Sequence, residues 1–184
     1  KSDPRLWKQI VPMAFHVDYW DYIGWSDRFA SADYSARQRT HKNQGNIRSV
    51  YTPGFVVDGR EWRGWFRRGA LQLPDADANE LRVDVNGTLI NAAYGGASEQ
   101  LVLNVALLGF NLSNHISSGE NSGRQLNHDF VVLQQKSMLS DKGNWQLELS
   151  AIEDSPVETK GIAAWISHPD SLKPLQATGG WLAN

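Results

Sequence analysis

Cysteine is missing from all 184 residues. The chain therefore contributes no disulfide, no thiolate metal ligand and no thiol nucleophile of its own. It also lacks an excess of positive charge: 18 Lys and Arg face 20 Asp and Glu, for a formal net charge of -2. Nucleic-acid binding needs a basic face that displaces counterions from phosphates, and this composition offers none. Long apolar runs are missing too. The longest apolar-leaning stretch, "LVLNVALLGFNL" from Leu101, is too short and too interrupted to cross a bilayer. No basic amphipathic stretch suits a membrane surface, so neither a membrane nor a nucleic acid is expected as partner. No signal peptide is visible in "KSDPRLWKQ", which reads as the interior of a longer chain.

What is present is 41% hydrophobic residues, enough for a real core in one large domain or two small ones. The first 70 residues mix helix and strand signals. Asp3 and Pro4 can open a short helix to Gln9, and "IVPMAFHV" suits a strand buried on both faces. "SADYSARQRTHKNQG" predicts a helix with Ser31 or Asp33 as N-cap and Gly45 just past its end. "GFVVDG" predicts a short buried strand that turns at Asp58-Gly59. Strand, helix, strand is an α/β pattern.

Beyond Pro74 the pattern changes. "ELRVDVNGTLINAAY" alternates with period two around Asn86-Gly87, a strong hairpin signal. "QLVLNVALL", "HDFVVLQQ", "NWQLELS", "GIAAWIS" and "LQATGGWL" follow, each of strand length and bounded by turn formers. A run of short strands without helical period predicts an antiparallel sandwich. The acidic, proline-containing "LQLPDADANE" reads as the linker.

The stretch "AFHVDYWDYIGW", with "FASADYSARQR", "SVYTPGFVVDG" and the later "GENSGRQLNHDFVV", resembles an uncharacterised family of secreted bacterial proteins. Those proteins combine a thioredoxin-like domain with a C-terminal β-domain, and their activity is not established. The resemblance covers most of the chain. It implies a thioredoxin-like domain over residues 1–70, a linker over 71–80 and a β-sandwich over 81–184. It also implies a cis peptide bond at Thr52-Pro53, facing the redox motif. The family's first strand and Cys-x-x-Cys region have no counterpart in these residues. With that strand absent, "IVPMAFHV" and "GFVVDG" would both want neighbours, so self-association into a homo-oligomer, or poor stability, is expected of the isolated chain.

The same resemblance places "DYWDYIGW" beside the redox site. Asp18 becomes a candidate proton acceptor, and His16 a candidate for tuning a partner thiolate. Tyr19, Trp20 and Trp25, with Thr52 and Pro53, become a candidate rim for a protein or peptide. Each residue also has a structural use. A histidine inside an apolar run is often a satisfied core residue, Asp18 and Asp21 can cap turns, and tryptophans pack cores. In "GREWRGWFRRG" arginines can stack on Trp62 and Trp65 without any ligand.

Metal binding has little support, because His16, His41, His115, His128 and His168 form no H-x-H or H-x-x-x-H pair. His16 and Asp18 would share a strand face, whereas His128 and Asp129 would not. There is no G-x-S-x-G elbow and no phosphate loop, so "GENSGR" reads as a structural loop in which Glu120 and Arg124 bond to each other or to backbone. No cofactor is expected. The leading expectation is a secreted or periplasmic thioredoxin-like protein, thiol-related or peptide-binding in full-length form and redox-inert without cysteine. The alternative is a non-catalytic carbohydrate- or protein-binding module, with Asp18 and Asp21 as the carboxylates of a sugar site.

Overall fold

The computed structural model describes residues 1–23, 26–64, 69–71, 80–115, 123 and 125–183. The anticipated helix from Pro4 is instead a knot of turns. The Arg5 carbonyl accepts from the N–H groups of Lys8, Gln9 and Ile10, and Asp3 Oδ1 accepts from the Arg5 N–H at 2.9 Å. Trp7 has φ 64, a left-handed backbone that cannot continue a right-handed helix. "IVPMAFHV" does not form a strand either. It is an extended ribbon with two isolated bridges, from Ile10 to Leu6 and from Ala14 to Val131. Its alternate residues Val11, Met13 and Phe15 all pack against a sheet beneath, which is why the run is apolar.

Helix α1 (Ala32–Asn43) follows its sequence signals closely. The Ser31 side chain accepts from the Asp33 N–H, and Gly45, with φ +70, ends the helix through a bond to the Lys42 carbonyl. Thr52-Pro53 is cis, as the resemblance implied. "GFVVDG" becomes a small hairpin rather than a buried strand. Its strands β1 (Val56–Val57) and β2 (Arg60–Glu61) pair antiparallel around Asp58 and Gly59, which both take positive φ. Val56 is exposed. Neither segment therefore leaves the pair of buried, unpaired strand edges that motivated the expectation of self-association. The anticipated linker, residues 71–80, lies outside the described residues except for its two ends, Leu71 and Glu80.

Each strand-length segment after residue 80 forms a strand. β3 (Leu81–Asn86) and β4 (Leu89–Tyr94) make the hairpin, with Gly87-Thr88 as its loop, one residue later than the Asn-Gly signal suggests. Gly87 alone takes positive φ there, as a turn with glycine at the first central position requires. β5 (Leu101–Gly109) leads through a two-stranded excursion, β6 (Leu112–His115) and β7 (Gln125–His128), into β8 (Val131–Ser140). β9 (Asn144–Glu148), a short helix α2 (Ala151–Asp154), β10 (Lys160–Ser167) and β11 (Gln176–Trp181) complete the chain.

These strands form a four-stranded sheet of order β11-β10-β5-β8 and a three-stranded sheet β3-β4-β9. Among the described residues all strand pairings are antiparallel, and no sheet closes into a barrel. The described chain is thus mostly β, with few helical residues. Leu81, Ile90, Leu103, Leu107, Trp145, Ile162 and Ile166 fill the space between the two sheets. The outer face of the larger sheet carries a second cluster, Ala106, Leu108, Phe110, Val132, Ala163 and Trp165. Tyr34 from α1 and the ribbon residues Trp7, Val11, Met13 and Phe15 cover it. A bulge opposite Leu107 and Leu108 turns Val132 toward that outer face while Leu133 joins the inner core.

Trp7 anchors the cover. Its ring meets Phe110, Phe130 and Trp181 edge-on at 5.5 to 6.4 Å between centroids. It fits because Gly179 has no side chain: a Cβ there would lie 2.6 Å from the indole. Phe110 is only 1% exposed and touches both the cover and the sheet. Phe110→Ala is expected to lose about 3–5 kcal/mol of stability, the usual cost of emptying a buried aromatic site. Urea unfolding followed by circular dichroism checks this, and a loss below about 1 kcal/mol would mean the outer layer is only loosely seated.

Candidate functional site

The end of the ribbon carries the ionisable residues. His16 Nδ1 lies 2.5 Å from Asp27 Oδ2, and both side chains are largely buried, at 15% and 11% exposure. The other Asp27 oxygen accepts from the Phe29 N–H at 3.0 Å and from Asn114 Nδ2 at 3.1 Å. Burial alone would push the Asp27 carboxyl up; the donors from His16, Phe29 and Asn114 outweigh it and hold the group below the usual carboxylate range. A second imidazole, His128 on β7, meets the His16 ring edge-on at 5.2 Å, with Phe29 against both. Its Nε2 is buried without a hydrogen-bond partner. Burial first, then the neighbouring His16, pushes its pKa down.

His16 is therefore neither a lone core residue nor a partner of Asp18. It is half of a carboxylate–imidazole pair that ties the ribbon to the loop before α1 and to the β6–β7 hairpin. Asp27 and His128 carry no spacing signal, since each reaches the cluster from a different element. The pair holds the His16 ring in one orientation. Among the described residues no group of three metal-ligating side chains is placed to hold an ion.

Asp18 is held by Ser35 at the start of helix α1. Its carboxylate Oδ1 accepts from the Ser35 hydroxyl, and the same hydroxyl oxygen accepts from the Asp18 N–H at 3.1 Å. Asp21, opening a 3-10 turn at Asp21–Ile23, accepts from Ser26 Oγ at 3.2 Å and from the Asp27 N–H at 3.4 Å. Both carboxylates thus shape the loop.

The aromatics between them divide. Tyr19 turns in and donates its hydroxyl to Gln38 Oε1 at 3.1 Å. Trp20 and Tyr22 turn out, at 47% and 78% exposure, with their rings stacked 6.1 Å apart at 23°. Gln38 also donates to the Tyr51 carbonyl at 2.6 Å, so α1 holds the Tyr19 loop and the Thr52-Pro53 turn together. Thr52, Pro53 and Gly54 are exposed. Trp25, Trp65 and most of "GENSGR" lie outside the described residues. Nearby, Arg63 stacks on Tyr51 at 5.5 Å rather than on Trp62, whose ring meets Phe55.

A family model for a protein of unknown function (DUF1223) matches residues 2–167. Among curated proteins none matches the chain. A crystal structure of an Agrobacterium tumefaciens protein, solved as a structural-genomics target, is similar in fold, with a TM-score of 0.61 and 18% identity. The match covers 92% of this chain and 78% of that one.

Two imidazoles make the fold sensitive to acid. Burial, helped by Arg37, lowers the pKa of His41 from 6.5 to about 4. Its Nδ1 faces the Asn46 side-chain amide at 3.3 Å, and protonation would set donor against donor. His128 shifts the same way. Between the unfolded value near 6.5 and the lower folded values, the folded chain binds fewer protons than the unfolded one. Stability is therefore complete above about pH 6.5 and falls as pH drops toward 4. Urea midpoints across this range should show that fall, and His41→Gln should flatten it. An identical slope in the variant would contradict the assignment.

Proposed function

We propose, for a chain that belongs to the family described as protein of unknown function (DUF1223), that it is a peptide-binding module whose contact surface is the Trp20–Tyr22 ledge beside the Thr52–Gly54 turn. The observation that carries the reading is the outward stack of two aromatic rings on a loop that Tyr19 and Gln38 tie to the exposed Thr52–Gly54 turn. An extended peptide is held in that way: main-chain groups give affinity and aromatic surface receives side chains. Trp20 also meets the Tyr19 ring, yet both ledge residues keep large exposed apolar faces. The internal hydrogen bonding of Asp18 and Asp21 favours a peptide over a sugar, whose hydroxyls need free carboxylates or amides at the stacking rings.

A thioredoxin-like ancestry and a secreted or periplasmic location belong to the same proposal. They rest on the resemblance of "AFHVDYWDYIGW" and "SVYTPGFVVDG" to that family. Any thiol chemistry would use a cysteine that these residues do not supply, with the His16–Asp27 pair at the edge of the same loop.

A randomised peptide array and a glycan array, each probed with wild-type protein and with Trp20→Ala and Tyr22→Ala, test the reading. Selected peptides should bind each variant at least tenfold more weakly, a loss of about 1.4 kcal/mol or more. Peptides that bind variants and wild type alike would remove the ledge from the account. Selection of glycans instead would establish the carbohydrate alternative.

A further inference from the structure

Among the described residues of helix α1, Arg37 is a positive charge that is partly withdrawn from water and that no carboxylate answers. The half-buried guanidinium of Arg37 lies 4.9 Å from the centre of the Phe15 ring and 5.4 Å from that of Trp165. Among the described residues it has no hydrogen bond and no ion pair. Three other arginines give a contrast. Arg5, Arg63 and Arg82 have side chains 46%, 50% and 73% exposed, where water would suffice, yet each has a carboxylate partner.

An aromatic neighbour answers the face of a guanidinium, while the N–H donors lie in its plane and point from its edge. Two rings at Arg37 leave that edge without acceptors. Charged groups withdrawn from water are ordinarily paired. Burial lowers the Arg37 pKa to about 10, and the group is still a cation at neutral pH.

The sheet beneath is also built unlike the rest of its face. Trp165 lies directly opposite Asn104 on β5, and Asn104 directly opposite Ser137 on β8, so the three side chains share one row. Ser137 Oγ donates to Asn104 Oδ1 at 2.8 Å, Gln135 Nε2 does so at 3.4 Å, and Asn104 Nδ2 donates to Ser167 Oγ at 3.4 Å. Asn104 and Ser167 are buried, while Ser137 opens the strip to solvent along β8. The strip interrupts an otherwise apolar face, and it contains no carboxylate.

We propose that Arg37, held against the Phe15 and Trp165 rings, is a receptor for an oxyanion, the carboxylate or phosphate group of a small ligand. Because both neighbours are aromatic, the fork keeps its N–H donors for two parallel N–H···O bonds to such a group. The Ser137, Gln135 and Asn104 donors of the strip bond to one another, to Ser167 and to the Val102 carbonyl, so the contact to the ligand is made by the guanidinium. This site is separate from the aromatic ledge and does not depend on it: Gln38, the next residue, serves the ledge from the other side of the helix.

The test is a titration of the whole chain with sodium acetate and, separately, inorganic phosphate, against sodium chloride at matched ionic strength. Saturable shifts of the Arg37 Nε–H and Trp165 indole resonances, with a rise in Tm, are expected for one or both anions, and the stronger arm identifies the group. Arg37→Met keeps an apolar stem between the rings and should retain its Tm without anion while losing the response. Arg37→Lys keeps the charge without the fork and should bind at least tenfold more weakly. If Arg37→Met fails to fold, the wild-type resonances and Arg37→Lys decide alone. No saturable shift with either anion, or an equal shift in Arg37→Lys or Arg37→Met, would overturn the proposal.

Discussion

The structure depends on one constraint: the central strands β5 and β10 are apolar on both faces. "LVLNVALLG" and "KGIAAWIS" have almost no polar side, and their residues are buried nearly throughout. A sandwich covers only one face of each sheet. The second face, carrying Ala106, Leu108, Phe110 and Trp165, demands another layer. Exposing side chains of that size would forfeit about 1.5–3 kcal/mol for each large one. The ribbon 7–15 and α1 meet that demand, and their own irregularity follows from it. Trp7 bends out of helical geometry into the space above Gly179, and Phe15 reaches both Tyr34 and Trp165.

That cover also positions everything chemical. His16 stands directly after Phe15, so seating the ribbon delivers the imidazole to Asp27 and His128. Gln38 and Arg37 leave α1 in different directions, one toward the Tyr19 loop and one toward the sheet. The two candidate surfaces are therefore consequences of how a single helix lies on a doubly apolar sheet.

Much of the β part was legible in the sequence, because period-two alternation and continuous apolar runs are local signals. The α1 caps at Ser31 and Gly45 were legible for the same reason. "IVPMAFHV" misled because an apolar run in extended form reads alike whether it pairs with strands or lies across a sheet; Pro12, which lacks an N–H, was the available hint. "GFVVDG" misled in the other direction, since Asp58-Gly59 closed a hairpin so tight that only two residues pair on each side. Of the site, the outward aromatics were visible as composition. The pairing of His16 with Asp27, the approach of His128 and the isolation of Arg37 are tertiary facts, with no periodicity to announce them.

The central claim is that the N-terminal ribbon and α1 are part of one cooperative core with the sandwich. Native-state hydrogen exchange tests it most directly, by comparing the Ala14 and Val132 amides, which bond across the ribbon–sheet junction, with amides of β5 and β10. The account predicts that they exchange with the same free energy and the same denaturant dependence, through global unfolding. Ribbon and junction amides that exchange through a low-energy local opening, while β5 and β10 stay protected, would contradict it.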